Sequence, residues 1–348
     1  MGNISQILKL AKSLNDWELQ RISDALLKML GKNTGVYGAA QHEEKSCRKC
    51  GSDQIVKFGK DKNGKQRYKC KCCGATFTAT SFSVISRTRH SAEDWETYIS
   101  LLLKGASLEE CAFRCCISMR TAFIWRHKIL SALMQDQDNR ILAGIIEADE
   151  KYVPISYKGN HKKSKRFVMP REPFKRGTDN HSNRYPKACI MCAVERNGQS
   201  YGAVLGSGAS TTPMVTHAFR ERIAPDSIFL SDGGKALSNY FSKREDVDHI
   251  ILKSSMSGSH SGGDPEIRGI YHIQTVNNFH KRLDDFLHRY NGVATKYLNH
   301  YVGLFVWMEN YKKADNQLEA SMKNQIERKA GYIAAKDIFN RVPVPQVA

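Results

Sequence analysis

Two Cys-x-x-Cys pairs, Cys47-Arg-Lys-Cys50 and Cys70-Lys-Cys-Cys73, constrain this chain more tightly than any other feature of its sequence. Each pair is a knuckle that brings two thiolates to one tetrahedral metal, and the stretch between them has a length that zinc ribbons use. Gly51 and Gly74 follow the pairs directly, where a knuckle needs positive φ, and Asp61-Lys-Asn-Gly64 offers a hairpin turn in between. The spacing predicts one structural Zn²⁺ held by Cys47, Cys50, Cys70 and Cys73, with Cys72 spare. A site closed by four sulfurs keeps no open position for chemistry and contributes instead an apparent ~10–16 kcal/mol of folding free energy. Five of the ten cysteines fall inside this cluster, which reads as metal binding rather than as the disulfide framework of a short secreted chain. Those at 111, 115, 116, 189 and 192 follow no such pattern and read as small core residues.

Charge narrows the partner. The chain has 53 Lys and Arg against 35 Asp and Glu, a net +18, which puts nucleic acid ahead of any acidic metabolite. Basic residues crowd the ribbon, among them Lys57, Lys60, Arg67 and Lys69, where they suit phosphate contacts or simply form a solvated face. With 348 residues, 41% of them hydrophobic, and nine prolines, the chain has room for two or more globular modules. No apolar run approaches the ~18 residues of a membrane span, and the opening Met-Gly-Asn-Ile-Ser-Gln is not a signal peptide. The expectation is a cytoplasmic, nucleoid-associated protein with no membrane partner.

Residues 4–30 repeat apolar side chains at helical spacing and predict two short helices, a packing or dimerisation module leading into a Gly-containing linker. From Ser91 to Met134 the pattern is helical again, with Gly105 midway and Ile117-Ser-Met-Arg-Thr121 between two apolar runs. A helix-turn-helix reads this way: a turn closed by a Ser cap, then a second helix carrying Arg120, Arg126, His127 and Lys128. A buried three-helix packing domain has the same apolar spacing. The basic second helix favours DNA binding, with Arg120 and Arg126 as contacts.

Beyond Gly144 the pattern turns to strand-like runs at Ile145–Val153, Ala188–Val194, Tyr201–Leu205, Ser227–Ser231 and His249–Leu252, alternating with helices. The expectation is an α/β domain, closed by a helical segment from Thr275 to Tyr311 that breaks near Asn291-Gly292, with further helices over 315–340. Asp149 lies in the first strand, and an acid there is costly unless it binds something. Asp232 ends the Ser227–Ser231 strand at a Gly-Gly turn, and ligands gather at the carboxyl ends of such strands. Two such aspartates on neighbouring strands would bridge divalent metals suited to phosphodiester chemistry, although strand-end aspartates also serve merely to cap a turn.

Glu147-Ala-Asp149-Glu150-Lys-Tyr-Val, Ser156-Tyr-Lys-Gly-Asn160, Pro170-Arg-Glu-Pro-Phe-Lys-Arg-Gly177, Ser231-Asp-Gly233, Tyr271-His-Ile-Gln-Thr-Val-Asn277 and Asn291-Gly-Val-Ala-Thr-Lys-Tyr-Leu298 occur in this order. The set resembles the ISXO-type group of DDE insertion-sequence transposases, over roughly residues 45–310. The resemblance implies a multidomain α/β protein, a zinc ribbon and helix-turn-helix followed by an RNase H-like mixed-sheet core that binds Mg²⁺ or Mn²⁺. Asp149 takes the first acid position, Asp232 the second, and Asn277 the third, where its amide oxygen ligates without adding charge. In the family a Lys follows seven residues later, and this chain has Asp284 there instead. Asp284 lies ~10 Å along the helix from Asn277. Either Lys281, one turn nearer, takes over the phosphate contact or the site is impaired; otherwise Asp284 is a solvated residue paired with Lys281 or His288. Lys158, Lys162, Lys163, Lys165, Arg166, Arg171, Lys175 and Arg176 follow the first catalytic strand and are placed to hold DNA there, if they are not merely a solvated run.

The sequence therefore reads as a transposase that binds element terminal repeats and target DNA, as a homodimer or larger assembly, and cuts and joins strands. Its expected domains are 1–40, N-terminal helices; 41–85, ribbon; 90–138, helix-turn-helix; 141–312, catalytic core; and 313–348, C-terminal helices. The rivals are a transposase-derived DNA-binding protein with an impaired site and a metal-dependent nuclease without strand transfer.

Overall fold

A computed structural model of the protein describes residues 45–61, 64–86, 88–138, 140–159, 187–196, 198–253, 266–311, 321–322, 326 and 333–342. The helices expected over 4–30, the basic residues from Lys162 to Arg176 and most of 315–340 lie outside the described residues. The chain divides into two compact units, Met1–Ala132 with Glu319–Ala334 and Leu133–Leu318 with Ala335–Ala348.

The first unit begins with a three-stranded antiparallel sheet of β1 (Ile55–Lys60), β2 (Gln66–Cys70) and β3 (Thr76–Thr78), in that order. Its small core is Tyr68 paired with Phe77, their rings stacked 5.7 Å apart, beside buried Cys47 and Cys70. Such a core buries too little apolar surface to stand without a staple. The β1–β2 turn forms where expected: the Asp61 carboxylate accepts the Lys65 N–H at 2.9 Å, and the Gly64 N–H donates to the Asp61 carbonyl.

Three helices follow, α1 (Ala92–Leu103), α2 (Leu108–Arg114) and α3 (Met119–Asp138). Ser91 and Asp94 form a reciprocal capping box on α1, Ser107 caps α2, and Ser118 Oγ accepts the Thr121 N–H at the start of α3, the Ser cap the sequence pattern predicts. Their core is aromatic, with Trp95 stacked on Trp125 at 3.9 Å and Tyr98 set edge-on to it. The packing corrects one expectation. Arg126 is 2% exposed, and its guanidinium donates to the Ala106 carbonyl at 2.7 Å and to Cys111 Sγ at 3.5 Å. It ties α3 to the α1–α2 turn and has no surface to offer DNA. His127 is buried as well, whereas Arg120 is exposed.

The second unit is built on a mixed five-stranded sheet of β4 (Ile145–Pro154), β5 (Lys187–Glu195), β6 (Ser200–Ser207), β7 (Ser227–Ser231) and β8 (Val247–Ile251), in the order β6-β5-β4-β7-β8. The β4, β5 and β6 ladder is antiparallel, and β4, β7 and β8 run parallel. Helices α4 (Thr212–Phe219) and α5 (Lys235–Phe241) make the parallel crossovers, burying Phe219, Tyr240 and Phe241 against Phe229. Beyond β8, α6 (Gln274–His288) and α7 (Thr295–Tyr311) are separated at Asn291-Gly292, both with positive φ, and the short α8 (Ala335–Phe339) follows. The five strands match the sequence expectations to within about two residues, because runs of β-branched and apolar residues buried on both faces leave little choice of register. Among the described residues no helix is long and apolar enough to cross a membrane.

Candidate active site

Glu147, inside β4, is completely buried, and every feature around it explains why an acid is tolerated there. Its carboxylate accepts the backbone N–H of Thr275 at 2.7 Å and of Val276 at 3.3 Å, the Thr275 hydroxyl at 2.8 Å and the Arg196 Nε at 3.1 Å. The two backbone donors belong to the first turn of α6, whose N–H groups have no partner within the helix, so a strand residue caps a helix 128 positions away. The cap pins α6 along β4. Further along, His280 Nδ1 lies 3.8 Å from Asp149 Oδ2, and beyond it Lys151 Nζ lies 2.7 Å from Asp284 Oδ2.

Asp149 and Asp232 are neighbours, close enough for the Asp232 charge to act on Asp149. In the parallel β4–β7 pairing Ile145 faces Ile228 and Glu147 faces Leu230, and the same register carried two residues further sets Asp149 level with Asp232. Side-chain alternation puts both on one face. The turn after β7 depends on Gly233, with φ +85°, where a Cβ would lie 2.5 Å from Ile251 Cγ2. The Gly234 N–H donates to Asp232 Oδ1 at 3.0 Å, and a Cβ on Gly234 would lie 3.6 Å from that oxygen and 3.7 Å from Glu150 Oε1. A third carboxylate, Glu150, therefore borders the turn, held by the hydroxyls of Tyr152 and Ser210.

Burial, and then the neighbouring Asp232 carboxylate, push the Asp149 pKa up to about 6, despite the Glu150 N–H that donates to its Oδ1 at 2.7 Å. Burial, and then the Lys151 ammonium, push the His280 imidazole down to about 4. A half-buried Asp149 beside the exposed Asp232 carboxylate fits a divalent cation, since its charge removes the repulsion that raises Asp149. The donors are hard oxygens, which suit Mg²⁺ or Mn²⁺.

The sequence profile of the ISXO2-like transposase domain matches residues 141–310, a span that contains this whole sheet, the turn after β7, and α6. Residues 141–310 belong to that family. Among solved structures the chain has faint likenesses to a pre-cleavage Mos1 transpososome at 12% identity, covering 71% of this chain and 81% of that one with a TM-score of 0.19, and to a Mos1 strand transfer complex at 12% identity, covering 70% and 80% with a TM-score of 0.20. At those scores they carry no argument about this chain. No curated protein matches it.

Within the transposase domain, the other expected residues are placed as follows. Asn277 is exposed on the first turn of α6, three residues before His280, and Lys281 is exposed on the same helix. Asp284 corrects the expectation of a local partner. Its ion pair is with Lys151 of β4, while His288 Nδ1 approaches only its backbone carbonyl, at 2.8 Å. Lys158 is exposed and donates to the Asn291 carbonyl at 3.0 Å. Glu150, Lys151 and His280 belong to the site and were not singled out from sequence. His280 carried a readable signal, because it shares the apolar stripe of Val276, Phe279 and Leu283 that faces the sheet.

In the ribbon, the four sulfurs of Cys47, Cys50, Cys70 and Cys73 all lie within 4.8 Å of one another, with Cys47–Cys73 at 3.7 Å and Cys50–Cys70 at 3.6 Å. Tetrahedral bonds of ~2.3 Å require sulfurs ~3.8 Å apart, so the set fits Zn²⁺. Gly51 and Gly74 take the positive φ that the knuckles demand, and N–H groups of Lys49 and Cys73 point at Cys47 and Cys70 sulfurs. The Cys73 N–H is the main cause that holds the Cys70 thiol down at about 7, favouring the thiolate that a metal needs. Cys72 is exposed and outside the cluster.

Proposed function

We propose that the protein is an insertion-sequence transposase that binds the terminal repeats of its element and carries out metal-dependent DNA strand cleavage and strand transfer. The observation that carries this reading is Asp149 on β4 with Asp232 beside it in the turn just after the parallel strand β7, next to a helix fixed to β4 by Glu147. The strand order supports an RNase H-like core, with antiparallel strands on one side of β4 and parallel strands on the other.

Asp149 and Asp232 would hold the catalytic ions, and Asn277 would complete the set through its amide oxygen. Mg²⁺ or Mn²⁺ bound there supplies activation of the attacking oxygen and stabilisation of the leaving one. Water attacks the phosphodiester at the element's end and the P–O3′ bond breaks. The freed 3′-hydroxyl would then attack a phosphodiester of target DNA, forming a new P–O3′ bond as the target's own P–O3′ bond breaks and releases a 3′-hydroxyl. The ribbon, closed by structural Zn²⁺, and the α2–α3 pair, with Arg120 exposed, recognise the repeats. Lys158 and the basic residues Lys162, Lys163, Lys165, Arg166, Arg171, Lys175 and Arg176 hold the backbone beside the site, and Lys281 adds a further contact. A homodimer or larger assembly would pair the two ends, and such a protein would work at the nucleoid.

A supercoiled plasmid carrying the DNA that flanks the coding sequence, incubated with the protein and Mg²⁺ or Mn²⁺, tests the reading. Joined products are expected. Nicks without joining would leave a nuclease, and binding without either would leave a transposase-derived DNA-binding protein.

A further inference from the structure

We infer that Lys151 is a phosphate-binding residue of this site, and that Asp284 positions it. The inference rests on the proposed reaction for its substrate and on the geometry for its residues. Lys151 is two residues beyond Asp149 on β4, so the two side chains leave the same face of the strand, ~6–7 Å apart along it. That face is the one α6 covers. The Lys151 side chain is 15% exposed and turned toward the helix, where its ammonium meets the 43% exposed Asp284 carboxylate at 2.7 Å. It lies close enough to His280 and Asp149 to act on the charge of both.

Asp149, Glu150 and Asp232 give the mouth of the site an excess of negative charge that repels a polyanion. A cation fixed beside them reverses that locally. An ammonium has three donors, and one bond to Asp284 leaves two for the oxygens of a DNA phosphate next to the one held at Asp149. Asp284 removes much of the rotamer freedom that a lysine otherwise loses on binding, and so sets the ammonium in advance. The pair is accordingly unequal. Lys151 touches the substrate, and Asp284 acts only through Lys151.

The inequality is the test. Lys151→Met, Lys151→Arg and Asp284→Asn are compared with the parent in two assays: salt-dependent binding of a fluorescent duplex in Ca²⁺, and cleavage of the plasmid described above in Mg²⁺ or Mn²⁺. Thermal melts identify any variant that has lost its fold. Lys151→Met is expected to reduce the slope of log K against log salt by ~0.9, the value of one phosphate contact, and to lower cleavage at least tenfold. Lys151→Arg is expected to keep the slope and recover most of the activity. Asp284→Asn is expected to keep the slope and to lose no more than about threefold in cleavage. Equal losses in Lys151→Met and Asp284→Asn would make the pair a structural strut and overturn the inference, as would a parental slope in Lys151→Met. If the parent cleaves nothing while Lys151→Met still flattens the slope, the phosphate contact stands and the proposed reaction falls. Parental cleavage in a folded Lys151→Met variant would leave the reaction standing and remove Lys151 from it.

Discussion

Asp149→Asn should abolish metal-dependent cleavage and, in the same protein, stabilise the metal-free fold. The side chain is 22% exposed, and burial together with Asp232 holds its pKa at about 6 against an ordinary 3.8. That displacement is worth roughly 3 kcal/mol of differential stability. The sign follows from its direction. A carboxyl whose folded pKa is raised contributes stability in full below about 3.8 and loses it as pH climbs through about 6, where the unfolded chain has already ionised. Above that the parent carries the whole deficit. Asn escapes it and still accepts the Glu150 N–H that Asp149 Oδ1 takes at 2.7 Å. Urea unfolding in chelator should show the variant more stable by ~2–3 kcal/mol near neutral pH, with the gap closing toward pH ~4. Mg²⁺ or Mn²⁺ should stabilise the parent and affect the variant far less. A variant less stable than the parent in neutral chelator, a gap that does not change with pH, or retained cleavage would refute the reasoning.

Three further outcomes are expected. Elemental analysis should find one zinc per chain in protein purified without chelator and none retained in the ribbon of Cys70→Ser; a parental value near zero would exclude the metal. Glu147→Ala should cost about 3–5 kcal/mol in urea unfolding, because it strips the acceptor from two helix-start N–H groups and from half-buried Arg196, and a loss under about 1 kcal/mol would contradict the capping role. Arg126→Ala should lower stability by several kcal/mol while leaving the salt dependence of DNA binding unchanged, whereas Arg120→Ala should flatten that dependence and barely affect stability; the reverse pattern would restore Arg126 as a DNA contact.

The zinc knuckles and the sheet were legible because both are local patterns. Cys47 and Cys50 announce each other across two residues, and buried strands announce themselves as apolar runs. The turn at Asp232-Gly-Gly was equally plain. The proximity of Asp149 to Asp232 is not local in sequence, and it depends on the parallel register of β4 with β7, which neither residue's neighbours encode. The ion pair of Lys151 with Asp284 and the cap of α6 by Glu147 join residues far apart in sequence, and no periodicity encodes them. Arg126 was misread by its charge. Its spacing from Ala122, Ile129 and Leu133 sets it on the inward stripe of α3, and that signal outweighs charge when a backbone carbonyl waits to accept the guanidinium.

Strand and helix measure length differently, and the contact of β4 with α6 works like a vernier. Two strand residues advance ~6.6 Å and four helix residues ~6 Å, so rungs drawn from Glu147, Asp149 and Lys151 to Val276, His280 and Asp284 fall into step with little accumulated error. The mismatch of roughly half an ångström per rung makes three aligned rungs easy and a much longer ladder hard. Such a scale tolerates an exchange of chemistry across a rung far better than a change in the number of residues between rungs. Deleting one residue of β4 would turn Asp149 to the other side of the sheet, and deleting one from α6 would swing His280 and Asp284 about 100° around the helix. The two spacings that align the rungs are therefore fixed by geometry alone, whereas Glu147 and Asp149 are fixed by their chemistry as well.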